Sequence, residues 1–294
     1  MDSAYELQDA VTDLRVAEGE DIIGYKVGCT GSGTTNQFGM KGPIRGTLFG
    51  AELLKNGAEL DFELFTNLSI EGEMAVKIGA NGEINSAFPV IELHNFVFRA
   101  PIKTLQELIA NNGFNAGVVC PDLTWQRSTQ YINQSAQLSV KINSEVIATG
   151  DLWPLPQGPS GSIEWLENNL KSWNRSILPG NIILTGTSLG LYPVQPGDKI
   201  EVSINNETAV SCKVLAKTKI SKSLLKSFQK EGIDCRLNTR VDEISVEEGN
   251  VKLHVAHTDF SQRFHGDLPV VGSVKTREQC GACRLYTSPS PRDS

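Results

Sequence analysis

Two carboxylates stand one residue apart in EGEMAVKI, Glu71 to Ile78, a stretch that otherwise has the composition of a buried strand. Side chains alternate faces along a strand, so Glu71 and Glu73 share one side with Ala75, while Met74, Val76 and Ile78 share the other. Like charges this close destabilise each other unless one is protonated, a base pairs with them or a cation bridges them. A third acid, Glu92 in FPVIELHN, interrupts another apolar run. Solvated glutamates on an edge strand would account for the spacing. Three carboxylates from adjacent strands would also bind a hard divalent cation, Mg²⁺ or Mn²⁺, and leave positions for water and a chelating substrate. His94, two residues beyond Glu92, could join such a site or pack beside it.

Lys26 in GYKVGC stands among apolar residues directly before a glycine-rich loop. An ordinary strand lysine would snorkel to the surface. One held beside a metal-bound 2-oxo acid could instead bind its carboxylate or transfer a proton, its pKa lowered by the cation. The loop itself, GCTGSG, matches neither GxGxxG nor a GK[ST] phosphate loop, and reads as a flexible turn over a pocket.

The elements that must position these groups follow from pattern. Tyr5 to Val16 is a short amphipathic helix with Tyr5, Val11 and Leu14 as its apolar residues, ending at Gly19. IIGYKVGCT is a strand entering the loop, and EMAVKI and AFPVIEL are strands joined through GANGE, whose Asn-Gly is a hairpin signal. KTLQELIANNG is a helix with Thr104 near its start and Gly113 after its end. AQLSVKI and EVIATGD pair through Asn143 and Ser144, and GSIEWLENNLKSW is a helix with Ile163, Leu166, Leu170 and Trp173 on one stripe. NIILTGT, DKIEVSI and AVSCKVLA complete a strand-rich half. Many hairpin strands with few helices favour an α+β class, a mixed β-roll with flanking helices, over an alternating βαβ sheet.

The chain of 294 residues is 39% hydrophobic and 21% charged, with a net charge of -7. That balance argues against nucleic acid or an anionic membrane as partner. No apolar run approaches the roughly 20 residues of a membrane helix, and MDSAYELQDA lacks a signal-peptide pattern, so the expected location is cytoplasmic. Six dispersed cysteines fit a reducing compartment, and the single CxxC, Cys280 and Cys283, is read as incidental.

Three segments are expected: a roll domain over 1–217, a fragment over 218–271 and a disordered tail over 272–294. The second is a helix followed by short strands. It resembles an internal piece of flavin-dependent disulfide oxidoreductases such as dihydrolipoamide dehydrogenase, without their nucleotide fingerprint or redox cysteine pair, and should be inactive alone. The final LYTSPSPRDS is polar, resembles translated sequencing-adaptor sequence and is read as artefactual.

Four motifs in order, AYELQDAVTDLRVAEGEDIIGYKVGCT, EGEMAVKI, PVIEL and LPGNIILTGTSLGLYPVQPGDKIEVSI, resemble the fumarylacetoacetate hydrolase superfamily, in its 2-keto-4-pentenoate hydratase and oxalocrotonate decarboxylase branch. The resemblance implies Glu71, Glu73 and Glu92 as ligands of Mg²⁺ or Mn²⁺, Lys26 as the catalytic lysine, and Asn112, Gly186 and Thr187 as substrate-binding residues. It also implies a homo-oligomeric lyase that hydrates an unsaturated 2-oxo acid of the 2-hydroxypenta-2,4-dienoate type. Decarboxylation, acylpyruvate-type carbon-carbon hydrolysis and an inactive relative are its alternatives. Two departures bear on substrate. The branch's Asp-Ser-Arg run after the third glutamate reads His94, Asn95, Phe96, and its Asp-Asn-Ala-Ser motif reads Asn111, Asn112, Gly113, Phe114, with Asn115 as the candidate replacement for the serine.

Overall fold

A computed structural model describes residues 1–31, 42–215, 239–247, 250–257 and 265–269. The chain separates into two compact units, Met1–Lys217 and Thr218–Ser294. In the second unit, β14 (Thr239–Glu247), β15 (Asn250–His257) and β16 (His265–Pro269) form an antiparallel sheet. The helix expected before these strands and the CxxC lie outside the described residues.

The first unit opens with α1 (Asp2–Ala17) and is built on two sheets. One has the order β2 (Ile44–Phe49), β1 (Ile22–Gly28), β10 (Ile182–Leu184), β5 (Leu68–Ile78), β6 (Ile84–Asn95), β7 (Asn115–Cys120), β3 (Leu53–Lys55), with β11 (Leu191–Pro193) also paired to β5. The other runs β4 (Ala58–Leu60), β13 (Glu207–Val214), β12 (Lys199–Ile204), β8 (Gln137–Ile142), β9 (Glu145–Asp151). The helices are α1, α2 (Leu105–Ala110), the single turn α3 (Leu123–Gln126) and α4 (Pro159–Lys171). Fold class, hairpins and turns agree with the sequence reading: Gly82 takes φ 85° between β5 and β6, and Asn143 and Ser144 take φ 53° and 70° between β8 and β9. Thr104 caps α2, its hydroxyl accepting from the Glu107 N–H.

Alternation along β5 decides what each face does. Ile70, Met74 and Val76 belong to the core shared with Val140, Ile200, Val202 and Val210 of the second sheet. Gly72, between the two glutamates, falls on this same face, where a Cβ would lie 2.4 Å from Val140 Cγ2 and 3.0 Å from Val202 Cγ2. The glycine lets the second sheet pack directly behind the acids. Ala75 lies on the opposite face with Phe88, Val90, Leu48 and Leu184, a smaller apolar cluster next to the acids.

The amphipathic reading of α1 needs correction. Tyr5 is buried as expected, but Val11 and Leu14 are exposed, and the inward face is Ala4, Tyr5, Gln8, Asp9 and Thr12. The cause is Arg45, fully buried on β2: its Nη2 is 2.7 Å from Asp9 Oδ2, its Nη1 donates to Gln8 Oε1 and its Nε donates to Asn169 Oδ1 of α4. A buried guanidinium requires such partners, so the helix presents its polar side inward. Replacing Gly72 by Val should destabilise the unit by at least about 1–3 kcal/mol through overpacking. Chemical denaturation measures this, and an unchanged midpoint would contradict close sheet packing at Gly72.

Candidate metal and active site

Antiparallel pairing of β5 with β6 sets Glu71 directly opposite Glu92 and Ser69 opposite His94. Glu71, Glu73, Glu92 and His94 thus share one face, in the interior of the sheet rather than on an edge strand. Glu73 is 1% exposed and Glu92 2%, which excludes the solvated-glutamate alternative. Glu71, with 22% of its side chain exposed, sits nearest solvent.

Lys26 is equally buried, so it does not snorkel. From β1, three strands along the curled sheet from β6, its Nζ lies 2.8 Å from Glu92 Oε1 and donates to Gly113 O at 2.8 Å. A second donor reaches Glu92 Oε1: Asn115 Nδ2, at 2.9 Å. The other Glu92 oxygen, Oε2, lies 3.4 Å from His94 Nε2, which is also 3.4 Å from Glu71 Oε2. Glu73 Oε2 accepts the Gly186 N–H at 2.6 Å.

These contacts and the depth of burial shift the titration of each group. Burial, followed by the charge of the neighbouring Glu92, raises the Glu73 pKa well above the ordinary carboxylate value. Burial would also raise Glu92, but the charges of His94 and Lys26 outweigh it and lower its pKa well below the ordinary carboxylate value. For His94, burial opposes protonation, yet Glu92 and Glu71 bring its pKa to about 8. Burial likewise opposes charge on Lys26, and the surrounding carboxylates overcome it, so its pKa is raised. The lowered lysine pKa expected from the sequence presupposed a bound cation.

The donor atoms also suit a metal. One oxygen each from Glu71 and Glu92 and a nitrogen of His94 lie within 4.8 Å of one another, and the mixed oxygen and nitrogen set fits a divalent ion. The expected ligands Glu71 and Glu92 are brought together, while Glu73 stands beside them with one oxygen committed to Gly186.

The residues expected to touch substrate are tied into the frame around the acids. Asn112 Oδ1 accepts the Thr47 N–H at 2.7 Å and its Nδ2 donates to Thr47 O at 2.8 Å, so both ends of the carboxamide are spent on β2. Asn112, Gly113 and Phe114 take φ values of 55°, 62° and 56°, a left-handed run that is costly for phenylalanine. Edge-to-face contacts with Phe96 and Phe98 hold Phe114 there. This turn presents Gly113 O to Lys26 and Asn115 to Glu92. Gly186, at φ 89°, has no room for a Cβ, which would meet Thr30 Oγ1 at 2.7 Å. Thr187 Oγ1 donates to Gly72 O and accepts the Leu189 N–H. Asn115, weighed in the sequence only as a serine replacement, is a direct partner of Glu92, and its Oδ1 is buried without a hydrogen bond. A cavity of 710 Å³ between α1 and α4, lined by Tyr5, Trp165 and Trp173 among others, contains none of these groups.

With the site geometry established, comparisons with known proteins bear on its lineage. No family model matches the chain. An Escherichia coli 2-oxo-hept-4-ene-1,7-dioate hydratase is 25% identical over 241 residues, covering 72% of this chain and 86% of that protein. A 4-oxalocrotonate decarboxylase of Pseudomonas sp. (strain CF600) is 25% identical over 226 residues, covering 72% and 84%. The chain is a homologue of these hydratases and decarboxylases. Its fold is similar to that of 4-oxalocrotonate decarboxylase from Pseudomonas putida G7, solved with magnesium and adipate, which matches with a TM-score of 0.66 at 22% identity, covering 72% of this chain and 85% of that one. Fumarylpyruvate hydrolase from Pseudomonas aeruginosa, solved with Mn²⁺ and pyruvate, matches with a TM-score of 0.51 at 14% identity, covering 66% and 89%.

Substituting Asn112 by Ala should cost about 1–3 kcal/mol, because the Thr47 N–H and C=O lose their buried partner. Urea denaturation checks this, and an unchanged midpoint would show that Asn112 does not hold the turn to β2.

Proposed function

We propose that residues 1–217 form a divalent-cation-dependent lyase that hydrates a small unsaturated 2-oxo acid of the 2-hydroxypenta-2,4-dienoate type. The observation that carries this reading is the buried Lys26 ammonium, 2.8 Å from Glu92 Oε1 at the edge of the convergent donors. The names of the homologous hydratases support the substrate class. A bound divalent cation would supply Lewis acidity toward the carboxylate and 2-oxo oxygens of such a substrate.

Glu71 and Glu92 would hold the cation, with Glu73 beside them, its Oε2 held by the Gly186 N–H. Two protons of the Lys26 ammonium are directed to Gly113 O and Glu92 Oε1. The third remains for a substrate carboxylate or enol oxygen. Lys26 would move the proton that turns the dienol into a conjugated ketone, and water would add across the remaining double bond to give a 4-hydroxy-2-oxo acid. Asn115 holds Glu92 Oε1 and keeps its Oδ1 available for a substrate hydroxyl or water.

Decarboxylation is the second reading, supported by the structural match to 4-oxalocrotonate decarboxylase; it would use the same enolate stabilisation and release CO₂. We further propose a homo-oligomer, supported by the exposed Leu7, Val11 and Leu14 on α1, and a cytoplasmic location, supported by the buried thiols of Cys120 and Cys212. No helix among the described residues is long and apolar enough to cross a membrane.

Ultraviolet absorbance of a 2-hydroxydienoate with the purified protein, with and without Mg²⁺ or Mn²⁺, followed by product mass, tests the reading. Cation-dependent loss of the chromophore with a gain of one water is expected, and Lys26→Met should reduce the rate by at least about 100-fold. Loss of CO₂ would select the decarboxylase, and an unchanged chromophore with every cation would contradict both.

A further inference from the structure

His94 has no counterpart among the ligands that the resemblance implies. Its side chain is 5% exposed and its Nε2 makes no hydrogen bond, although that atom is buried among carboxylates. Strand alternation places it on the Glu92 face, and it lies 3.4 Å from the Oε2 atoms of both Glu71 and Glu92. Those oxygens are the ones left over. Glu92 Oε1 is occupied by Lys26 and Asn115, and Glu73 Oε2 by the Gly186 N–H. One oxygen each from Glu71 and Glu92 and a nitrogen of His94 lie within 4.8 Å of one another.

We infer that His94 Nε2 is a cation ligand, so that this chain holds its metal with imidazole nitrogen and carboxylate oxygen together. The inference rests on the cation-dependent reading above and specifies its metal. Mg²⁺ takes oxygen donors and gains little from imidazole, whereas imidazole favours transition metals. The site therefore prefers Mn²⁺ or Co²⁺ to Mg²⁺. The rival role for His94, an imidazolium that neutralises the acids in place of a metal, predicts that no cation enters.

The test uses the full chain titrated with MnCl₂ alone. Pulsed electron paramagnetic resonance of the bound Mn²⁺ should show coupling to a histidine ¹⁴N, absent in His94→Gln. Calorimetric titration of that variant should show Mn²⁺ affinity reduced by at least about 10-fold, a loss seen even for groups that only support a ligand, with a smaller change for Mg²⁺. The wild-type spectrum decides the matter even if the variant does not fold. Mn²⁺ that binds without ¹⁴N coupling, and is lost in Glu92→Gln, would overturn the His94 assignment and leave the cation-dependent reading intact. Absence of any Mn²⁺ or Mg²⁺ binding would overturn both.

Discussion

The site depends on one constraint: Glu73 and Glu92 are carboxylates with almost no contact with water, and each must be neutralised where it stands. Lys26 and His94 lie against Glu92, and the Gly186 N–H donates to Glu73. Each neutralising group is fixed by a different part of the chain. β1 brings Lys26, the left-handed turn brings Gly113 O and Asn115, and the segment after β10 brings the Gly186 N–H. Removing any one leaves a buried charge or dipole unpaired, so the fold around the acids is coupled to their charge state.

Arg45 shows the same physics on the other side of β2. Its guanidinium is fully buried and organises Gln8, Asp9 and Asn169 around it. Asp9 also lies 3.2 Å from Arg175, so one carboxylate ties α1 to β2 and to the chain after α4. The polar interior at the α1 contact is thus a consequence of one cation, and the exposed leucines of α1 follow from the rotation that Arg45 imposes.

Local pattern made much of this legible. Period-two alternation located β5 and β6, Asn-Gly and Asn-Ser marked the turns, and acids interrupting apolar runs singled out Glu71, Glu73 and Glu92. What depended on distant partners was hidden. The burial of Gln8 and Asp9 follows from Arg45, 36–37 residues away. The structural use of Asn112 follows from Thr47, 65 residues away, and no local signal marks it. His94 was visible as a candidate two residues from Glu92, but only the register with Glu71 shows that its Nε2 faces both acids.

The central claim is that this buried acidic cluster is a cation site. Thermal denaturation with MgCl₂ or MnCl₂, against a chelator control, tests it most directly for the wild-type chain and the Glu71→Gln, Glu73→Gln double variant. A ligand at about 100 times its Kd stabilises the folded state by about 2.7 kcal/mol, so the wild type should melt several degrees higher with cation. The double variant should lose that increment. Equal melting temperatures with cation and with chelator in the wild type would contradict the account.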